Sequence, residues 1–217
     1  FPFLQWAGGV DWSVCGELIR RAARRNNSRR LAVATVYHKV GSYRLINLLR
    51  KGQVCEVWEV EDPQNPGRYA MKFIPKGSNK ESEQLRLIHH EYNVGKIMHH
   101  DNVIETFGLQ TTKEGTYLLL ELMKTPNLKQ WIHDGVNRIA YRIDDIIHGM
   151  ALGMNYFHSQ GWIHRDIKPD NFLVANLDGD LQVKVIDFAI ALRKKSALAK
   201  LFAVKTKPQG TMSYMSP

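Results

Sequence analysis

Short apolar runs that alternate with turn-rich polar stretches dominate the middle of the chain. Arg50 to Gln53 separates the first two runs, and the Asp-, Asn- and Pro-containing stretch from Glu61 to Gly67 is a strong turn signal. A second turn signal covers Thr111 to Gly115. The pattern predicts a three-strand meander followed by a hairpin, with strands at 43–49, 54–60, 69–74, 103–108 and 116–123.

Helical spacing of apolar residues replaces this pattern in three places. Leu85, Ile88, Tyr92 and Val94 predict a helix over 82–98, and a short helix begins at Leu128. A third helix over 143–158 carries an apolar stripe that we expect to face the core: Ile143, Ile146, Ile147, Met150, Met154 and Phe157. Apolar runs at 172–174 and 181–186 around an Asn-Leu-Asp-Gly-Asp turn predict a closing hairpin.

The first 42 residues form a basic N-terminal extension. Asp11 or Ser13 would cap a short helix reaching about Ala23, and 31–37 would form a strand. Residues 1–43 carry seven Lys/Arg against two Asp/Glu, within a net charge of +9. No aromatic residue interrupts the arginine cluster, so we expect a solvated surface and no nucleic-acid partner.

Composition narrows the setting of the protein. No apolar run approaches the roughly 20 residues of a membrane span, so none is expected in this chain. Two cysteines in 217 residues favour a reducing, cytoplasmic environment. The chain begins with Phe, so a targeting signal would lie outside it. The pairs His89–His90 and His99–His100 point about 100° apart on a helix, so they are not expected to hold a metal.

The stretch from His164 to Asn171, with the sequence HRDIKPDN, combines a carboxylate, a cation and an amide in one loop. Pro169 excludes a continuous helix or a sheet ladder there. Such a set suits phosphoryl transfer, in which a carboxylate orients a hydroxyl, a lysine meets phosphate and an amide oxygen binds Mg²⁺. The loop resembles the catalytic loop of eukaryotic-type Ser/Thr protein kinases.

Further matches to that family follow in the family's order. Lys72 ends the string Tyr-Ala-Met-Lys, Glu91 lies on the next predicted helix, and Asp187 opens Asp-Phe-Ala. The chain ends in a Gly-Thr-x-x-Tyr-x-x-Pro string that contains Thr211 and resembles the end of an activation segment. The resemblance implies an α+β, bilobal fold. Its small lobe and hinge would span 43–123, and a partial, mainly helical large lobe would span 124–217 and stop one residue before the expected glutamate.

The resemblance also implies ATP and Mg²⁺ as cofactors and a protein substrate with a Ser or Thr acceptor. Asp166, Lys168, Asn171 and Thr211 would be the catalytic residues, and Asn171 and Asp187 would hold the metal. Leu120 would be the residue at the back of the cleft that precedes the hinge. Nucleotide contacts would come from Lys72, Glu91, Gly52, Val57, Ala70, Glu121, Met123 and Leu173.

Three departures from the family pattern keep a catalytically weak, kinase-like binding scaffold open as the alternative. The glycine-rich loop positions hold Arg50, Gly52 and Cys55, so one glycine of three is present. Ala189 replaces the glycine after Asp-Phe, and alanine resists positive φ, which would restrict flipping of that loop. Gly95 replaces a large apolar residue and would leave a gap behind Glu91. A small-molecule phosphotransferase is a further rival, disfavoured by Lys168–Pro169 and the Gly-Thr ending.

Arg165 suggests control by phosphorylation of the segment that follows Asp187. A phosphate there would pair with the guanidinium and order the site. Thr206 is the first candidate acceptor and Ser196 the second, and the alternative is a flexible loop that is not modified.

Overall fold

The computed structural model describes residues 39–52, 55–78, 80–194 and 210–214. Contacts divide the chain into the units Phe1–Lys39 and Val40–Pro217. The predicted N-terminal helix, the strand at 31–37, Ser196 and Thr206 lie outside the described residues.

An antiparallel sheet of six strands forms the first half of the described chain. The strands are β1 (Lys39–Val40), β2 (Tyr43–Lys51), β3 (Glu56–Glu61), β4 (Arg68–Pro75), β5 (Thr106–Thr111) and β6 (Gly115–Glu121), in the spatial order β1-β2-β3-β4-β6-β5. The meander and the hairpin predicted from the sequence are therefore present. The predicted strand start at 103 was wrong, because Val103 forms a parallel bridge to Val185 and Ile104 N donates to Val185 O at 3.0 Å.

One long helix, α1 (Glu81–Gly95), connects β4 to β5 and packs on the sheet. Ile88, Glu91, Val94 and Gly95 form its buried side, in agreement with the predicted helical spacing. The helix ends three residues before the predicted end at Met98, where the last turns tighten and Met98 N donates to Gly95 O at 2.9 Å.

The second half of the described chain is helical with short strand pairs. Its helices are α2 (Leu128–Gly135), α3 (Asn137–Ala140) and α4 (Ile143–Ser159). Its strands are β7 (Trp162–Ile163), β8 (Phe172–Ala175), β9 (Gln182–Val185) and β10 (Leu192–Arg193), paired as β8–β9 and β7–β10. The fold is thus the α+β arrangement expected. No helix within the described ranges is long and apolar enough to cross a membrane.

The core face of α4 differs from the stripe predicted for it. Ile146 and Phe157 are fully buried, but the predicted core residues Ile143 and Ile147 are 39% and 55% exposed. The remaining buried positions are Gly149 and Gly153, where a Cβ atom would approach Val183 Cβ to 2.8 Å and Asn102 O to 2.6 Å. Two glycines therefore let α4 lie directly on β9, and this contact rotates the flanking isoleucines outward.

Candidate active site

A lysine from the sheet meets two carboxylates from different parts of the chain. Lys72 Nζ lies 2.6 Å from Glu91 Oε2 on α1 and 3.3 Å from Asp187 Oδ1, two residues beyond β9. Glu91 is 3% exposed, so its charge is shielded from water. The sequence prediction that these three residues come together agrees with this geometry.

Electrostatics favour a charged lysine at this position. Burial opposes ionisation of Lys72, but Asp187 and Glu91 outweigh burial and raise the pKa of the ammonium. Lys72 in turn holds the pKa of Asp187 below its usual range. Burial raises the pKa of Glu91 against the pull of Lys72. A fixed cation on β4 is suited to binding phosphate.

The buried side chain of His164, which is 1% exposed, anchors the catalytic-loop candidate. Asp166 N donates to His164 Nδ1 at 3.3 Å, so Nε2 carries the proton and donates to Ile186 O at 3.0 Å. Burial lowers the pKa of this imidazole, which keeps it neutral. Arg165 has a φ of 69°, so the backbone turns through a left-handed conformation immediately before Asp166.

The other three predicted catalytic residues converge on the carboxylate of Asp166. Lys168 Nζ lies 2.6 Å from Asp166 Oδ2, and Asn171 Nδ2 donates to the same oxygen at 3.0 Å. Thr211 donates to Asp166 Oδ1 through its hydroxyl at 2.7 Å and its backbone N–H at 3.1 Å. Burial opposes ionisation, but the bonds from Lys168, Thr211 and Asn171 outweigh it and hold the pKa of Asp166 below its ordinary value.

Asn171 and Asp187 suit a hard cation such as Mg²⁺. The amide nitrogen of Asn171 is occupied by Asp166 O at 2.8 Å, so its carbonyl oxygen is the group left to coordinate. Asp187 contributes a carboxylate, and oxygen ligands of this kind are those that Mg²⁺ prefers, with water and phosphate completing the shell. Within the described residues no group of three His, Cys, Asp or Glu side chains is placed to hold a metal.

In the Asp-Phe-Ala segment, the residue with the strained backbone conformation is the aspartate. Asp187 has a φ of 68°, whereas Ala189 is not among the described residues with positive φ. Phe188 is 1% exposed and packs against Phe157 with ring centroids 5.3 Å apart. Alanine is therefore accommodated at position 189 in this conformation, and its predicted effect on loop flipping stays a prediction.

The predicted nucleotide-binding residues come from the six-stranded sheet, from α1, from the chain at the end of β6 and from the β8–β9 hairpin. Val57 pairs with Lys72 and Glu59 pairs with Ala70 across β3 and β4, so these side chains share the face of the sheet that carries Lys72. Leu173 lies on β8, opposite Lys184 of β9. Glu121 ends β6 and Met123 follows it. Gly52 N donates to Cys55 O at 2.8 Å, a turn in which a Cβ on Gly52 would lie 2.9 Å from that oxygen.

The gap predicted behind Glu91 does not exist. A Cβ on Gly95 would lie 2.2 Å from Thr106 Oγ1, so the threonine fills the space. The prediction was wrong because the partner that closes the gap comes from β5 and carries no local signal.

Three charged residues near the hinge were missed by the sequence interpretation. Glu59 is 1% exposed and lies 2.6 Å from Lys124 Nζ. Lys184 Nζ lies 3.0 Å from Glu121 Oε2. The signal available was that Glu59 and Lys184 stand at positions of β3 and β9 where a charge is unusual between apolar neighbours.

The lysine–glutamate pair, the Asp-Lys-Asn loop and the carboxylate of Asp187 together have the arrangement expected of the protein kinase class. Comparison with known proteins agrees: the family described as "Protein kinase domain" matches residues 43–217. The chain belongs to this family, and its relatives place it with the eukaryotic-type Ser/Thr kinases.

Those relatives are distant and longer. Over 96% of its length the chain is 26% identical to serine/threonine-protein kinase Pkn1 of Myxococcus xanthus, of which it covers 31%. Over 89% it is 27% identical to calcium/calmodulin-dependent protein kinase type 1 of Caenorhabditis elegans, of which it covers 53%. Over 78% it is 28% identical to serine/threonine-protein kinase PLK2 of Rattus norvegicus, of which it covers 24%. The chain thus spans about half or less of these relatives.

Proposed function

We propose that this protein transfers the γ-phosphate of ATP to Ser or Thr hydroxyls of a protein substrate. The observation that carries the proposal is the position of Lys72, whose ammonium lies 2.6 Å from Glu91 and 3.3 Å from Asp187. Such a cation, fixed from both sides, is suited to gripping the α- and β-phosphates of ATP. The free thiol of Cys55 and the use of ATP are consistent with a cytoplasmic setting.

Asp166 has the role of orienting the acceptor hydroxyl and receiving its proton. Its pKa is held low by Lys168, Thr211 and Asn171 against the effect of burial, so it is ionised at neutral pH. Lys168 neutralises charge on the transferred phosphoryl group, while its bond to Thr211 Oγ1 at 2.9 Å keeps the ammonium beside the carboxylate. The pairing of Lys168 with a threonine supports Ser/Thr acceptors.

The base of ATP would lie between Val57 and Ala70 on one side and Leu173 on the other. Backbone groups of Glu121 and Met123 would bind its edge, and Gly52 would approach the phosphates. Asn171 and Asp187 would hold Mg²⁺, which when bound neutralises phosphate charge.

The second candidate is a kinase-like scaffold that binds nucleotide weakly and does not catalyse. The observation that favours it is the glycine-rich loop, where Arg50 and Cys55 replace two of the three family glycines and Gly52 is the one that is present. The complete set of charged groups around Asp166 and Lys72 opposes it, since a binding scaffold has no need of a base beside a phosphate-binding lysine.

Nucleotide binding provides the first test. ATP should raise the melting temperature of the full chain only when Mg²⁺ is present, and Lys72→Met should abolish the shift. A generic basic protein should become phosphorylated on Ser or Thr. ATP binding without any phosphotransfer would favour the scaffold, and phosphorylation of small alcohols alone would favour a small-molecule phosphotransferase.

A further inference from the structure

Strands β3 and β4 form the roof of the proposed nucleotide cleft. This roof contains a carboxylate, that of Glu59, which has no part in the proposed catalytic roles. Glu59 is 1% exposed and lies at the centre of β3. It pairs with Ala70, and Val57 on the same strand pairs with Lys72. Directly opposed residues of antiparallel strands share a face, so Glu59 lies on the side of the sheet that Lys72 uses to reach Glu91 and Asp187.

Three donors from three separate segments converge on this carboxylate. Lys124 Nζ lies 2.6 Å from Glu59 Oε1, and Arg68 Nη1 lies 2.5 Å from the same oxygen. Asn47 Nδ2 donates to Glu59 Oε2 at 2.8 Å. The bond from Lys124 leads the effects that lower the pKa of Glu59 to about 2. The half-exposed side chains of Lys124 and Arg68 cover this carboxylate, so its shielding from water depends on these partners.

Lys124 is the donor that reaches Glu59 from outside the sheet. It follows β6, which ends at Glu121, by three residues, and therefore belongs to the connection that leaves the hinge. Arg68 and Asn47 lie on strands adjacent to β3 and bind Glu59 within the sheet. The β4–β6 ladder ends at the Tyr69–Glu121 pair, so the Lys124–Glu59 bond instead joins the chain just beyond that ladder to β3.

A second ion pair joins the same connection to the β8–β9 hairpin, which forms the floor of the proposed cleft. Lys184 Nζ lies 3.0 Å from Glu121 Oε2, and the side chain of Lys184 is 13% exposed. Lys184 is opposed to Leu173 on the β8–β9 hairpin, so both side chains lie on one face of it. Within four residues of chain the hinge is therefore bound both to the hairpin below and to the sheet above.

We infer that the Glu59–Lys124 ion pair is a strap that fixes the hinge chain at 122–124, beyond the end of the β4–β6 ladder, against β3, and thereby sets affinity for the nucleotide base. The inference rests on the proposed ATP-binding function. Both residues are positioning residues: they act by fixing the hinge backbone around Met123, which would otherwise have to be ordered when the base binds. The strap lies at the base end of the cleft, away from Asp166, so it should affect ground state and transition state alike.

The test is Lys124→Met in the full chain, compared with the parent for ATP affinity, ATP KM and kcat. Lys124 is half exposed, so its loss should not prevent folding, and a melting curve checks this. We expect Kd and KM for ATP to rise about tenfold with kcat changed less than about twofold, since the loss of uniform binding alters KM alone. Lys124→Arg should restore the parent values.

Two further variants separate the strap from a direct contact between Lys124 and ATP. Glu59→Gln should raise KM at least as much as Lys124→Met does, and the double variant should be no worse than Glu59→Gln alone, because both changes remove the Lys124–Glu59 ion pair. The matched control is Lys113→Met, whose side chain is 91% exposed in the β5–β6 turn and should leave every value unchanged.

The outcomes distinguish the inference from the function it rests on. If the parent binds no ATP, the proposed function fails. If the parent binds ATP and Lys124→Met binds it equally well, only the strap is refuted. Additive effects of Glu59→Gln and Lys124→Met, or a fall in kcat at unchanged KM, would also refute the strap.

Discussion

Thr106 fills the space beside the Cα atom of Gly95: its Oγ1 atom lies only 2.2 Å from the position that a Cβ on the glycine would take. Thr106 is 7% exposed, and its hydroxyl has no hydrogen-bond partner within the described residues. Strand β5 thus packs tightly behind Glu91, but with an unsatisfied polar atom at the contact. The packing fills the space behind the Lys72–Glu91 ion pair, although it leaves this hydroxyl without a hydrogen bond.

Replacing that hydroxyl should stabilise the protein. Thr106→Val keeps the shape of the side chain and removes a buried group without a partner, so the free energy of unfolding should rise by about 1 kcal/mol. Denaturant titration measures the change. Thr116→Val is the matched control, because Thr116 is also buried but its Oγ1 lies 3.0 Å from Thr111 Oγ1. The reading of Thr106 would be wrong if its variant lost stability as the control should.

Cys55 should react slowly with alkylating reagents at neutral pH. Burial raises the pKa of this thiol from 9.0 to about 11, so the thiolate is scarce below that pH. In a Cys15→Ser background at pH 8, we expect alkylation about 100-fold slower than that of the urea-unfolded chain, rising towards pH 11. Equal rates in the folded and unfolded states would show that the thiol is not shielded.

The acid stability of the protein should depend on Glu59. Its folded pKa of about 2 lies below the ordinary value of 4.5, chiefly because Lys124 binds the ionised form. A lowered folded pKa stabilises above the unfolded pKa, and this contribution is lost as the pH falls. The stability advantage of the parent over Glu59→Gln should therefore be full at pH 7 and decline from about pH 4.5 towards pH 2. A difference that stays constant over this range would contradict the assignment.

Thr211 should matter through its hydroxyl. Thr211→Val removes the bonds to Asp166 Oδ1 and Lys168 Nζ, so kcat should fall about tenfold, while Thr211→Ser should keep most activity. Melting temperatures of the variants serve as the control for folding. A valine variant with parental kcat would exclude a positioning role for the hydroxyl.

The charged groups of the site were predictable because each stands in a short string whose chemistry is local. Asp166, Lys168 and Asn171 lie within one loop, and the strand and helix patterns placed Lys72 and Glu91 on adjacent elements. The order of these strings along the chain then indicated that they meet in one cleft.

The missed features depend on contacts between distant segments. Glu59 and Lys124 meet because the β3–β4 and β4–β6 registers bring Glu59 close to the end of β6. The face of α4 was predicted from its isoleucines, whereas two glycines opposite β9 decide which side is buried. Neither the helical period nor composition reveals which small residue will meet a neighbouring strand.

Transfer of labelled γ-phosphate from ATP to a generic basic protein, by the parent and by Asp166→Asn, tests the central claim most directly. Asp180→Asn, in the exposed β8–β9 turn, is the matched control for the same change of side chain. We predict Mg²⁺-dependent labelling of Ser or Thr by the parent and by the control, with a loss of at least about 100-fold in Asp166→Asn at unchanged ATP affinity. Equal labelling by the parent and Asp166→Asn would contradict the assignment of Asp166, and therefore the proposed reaction.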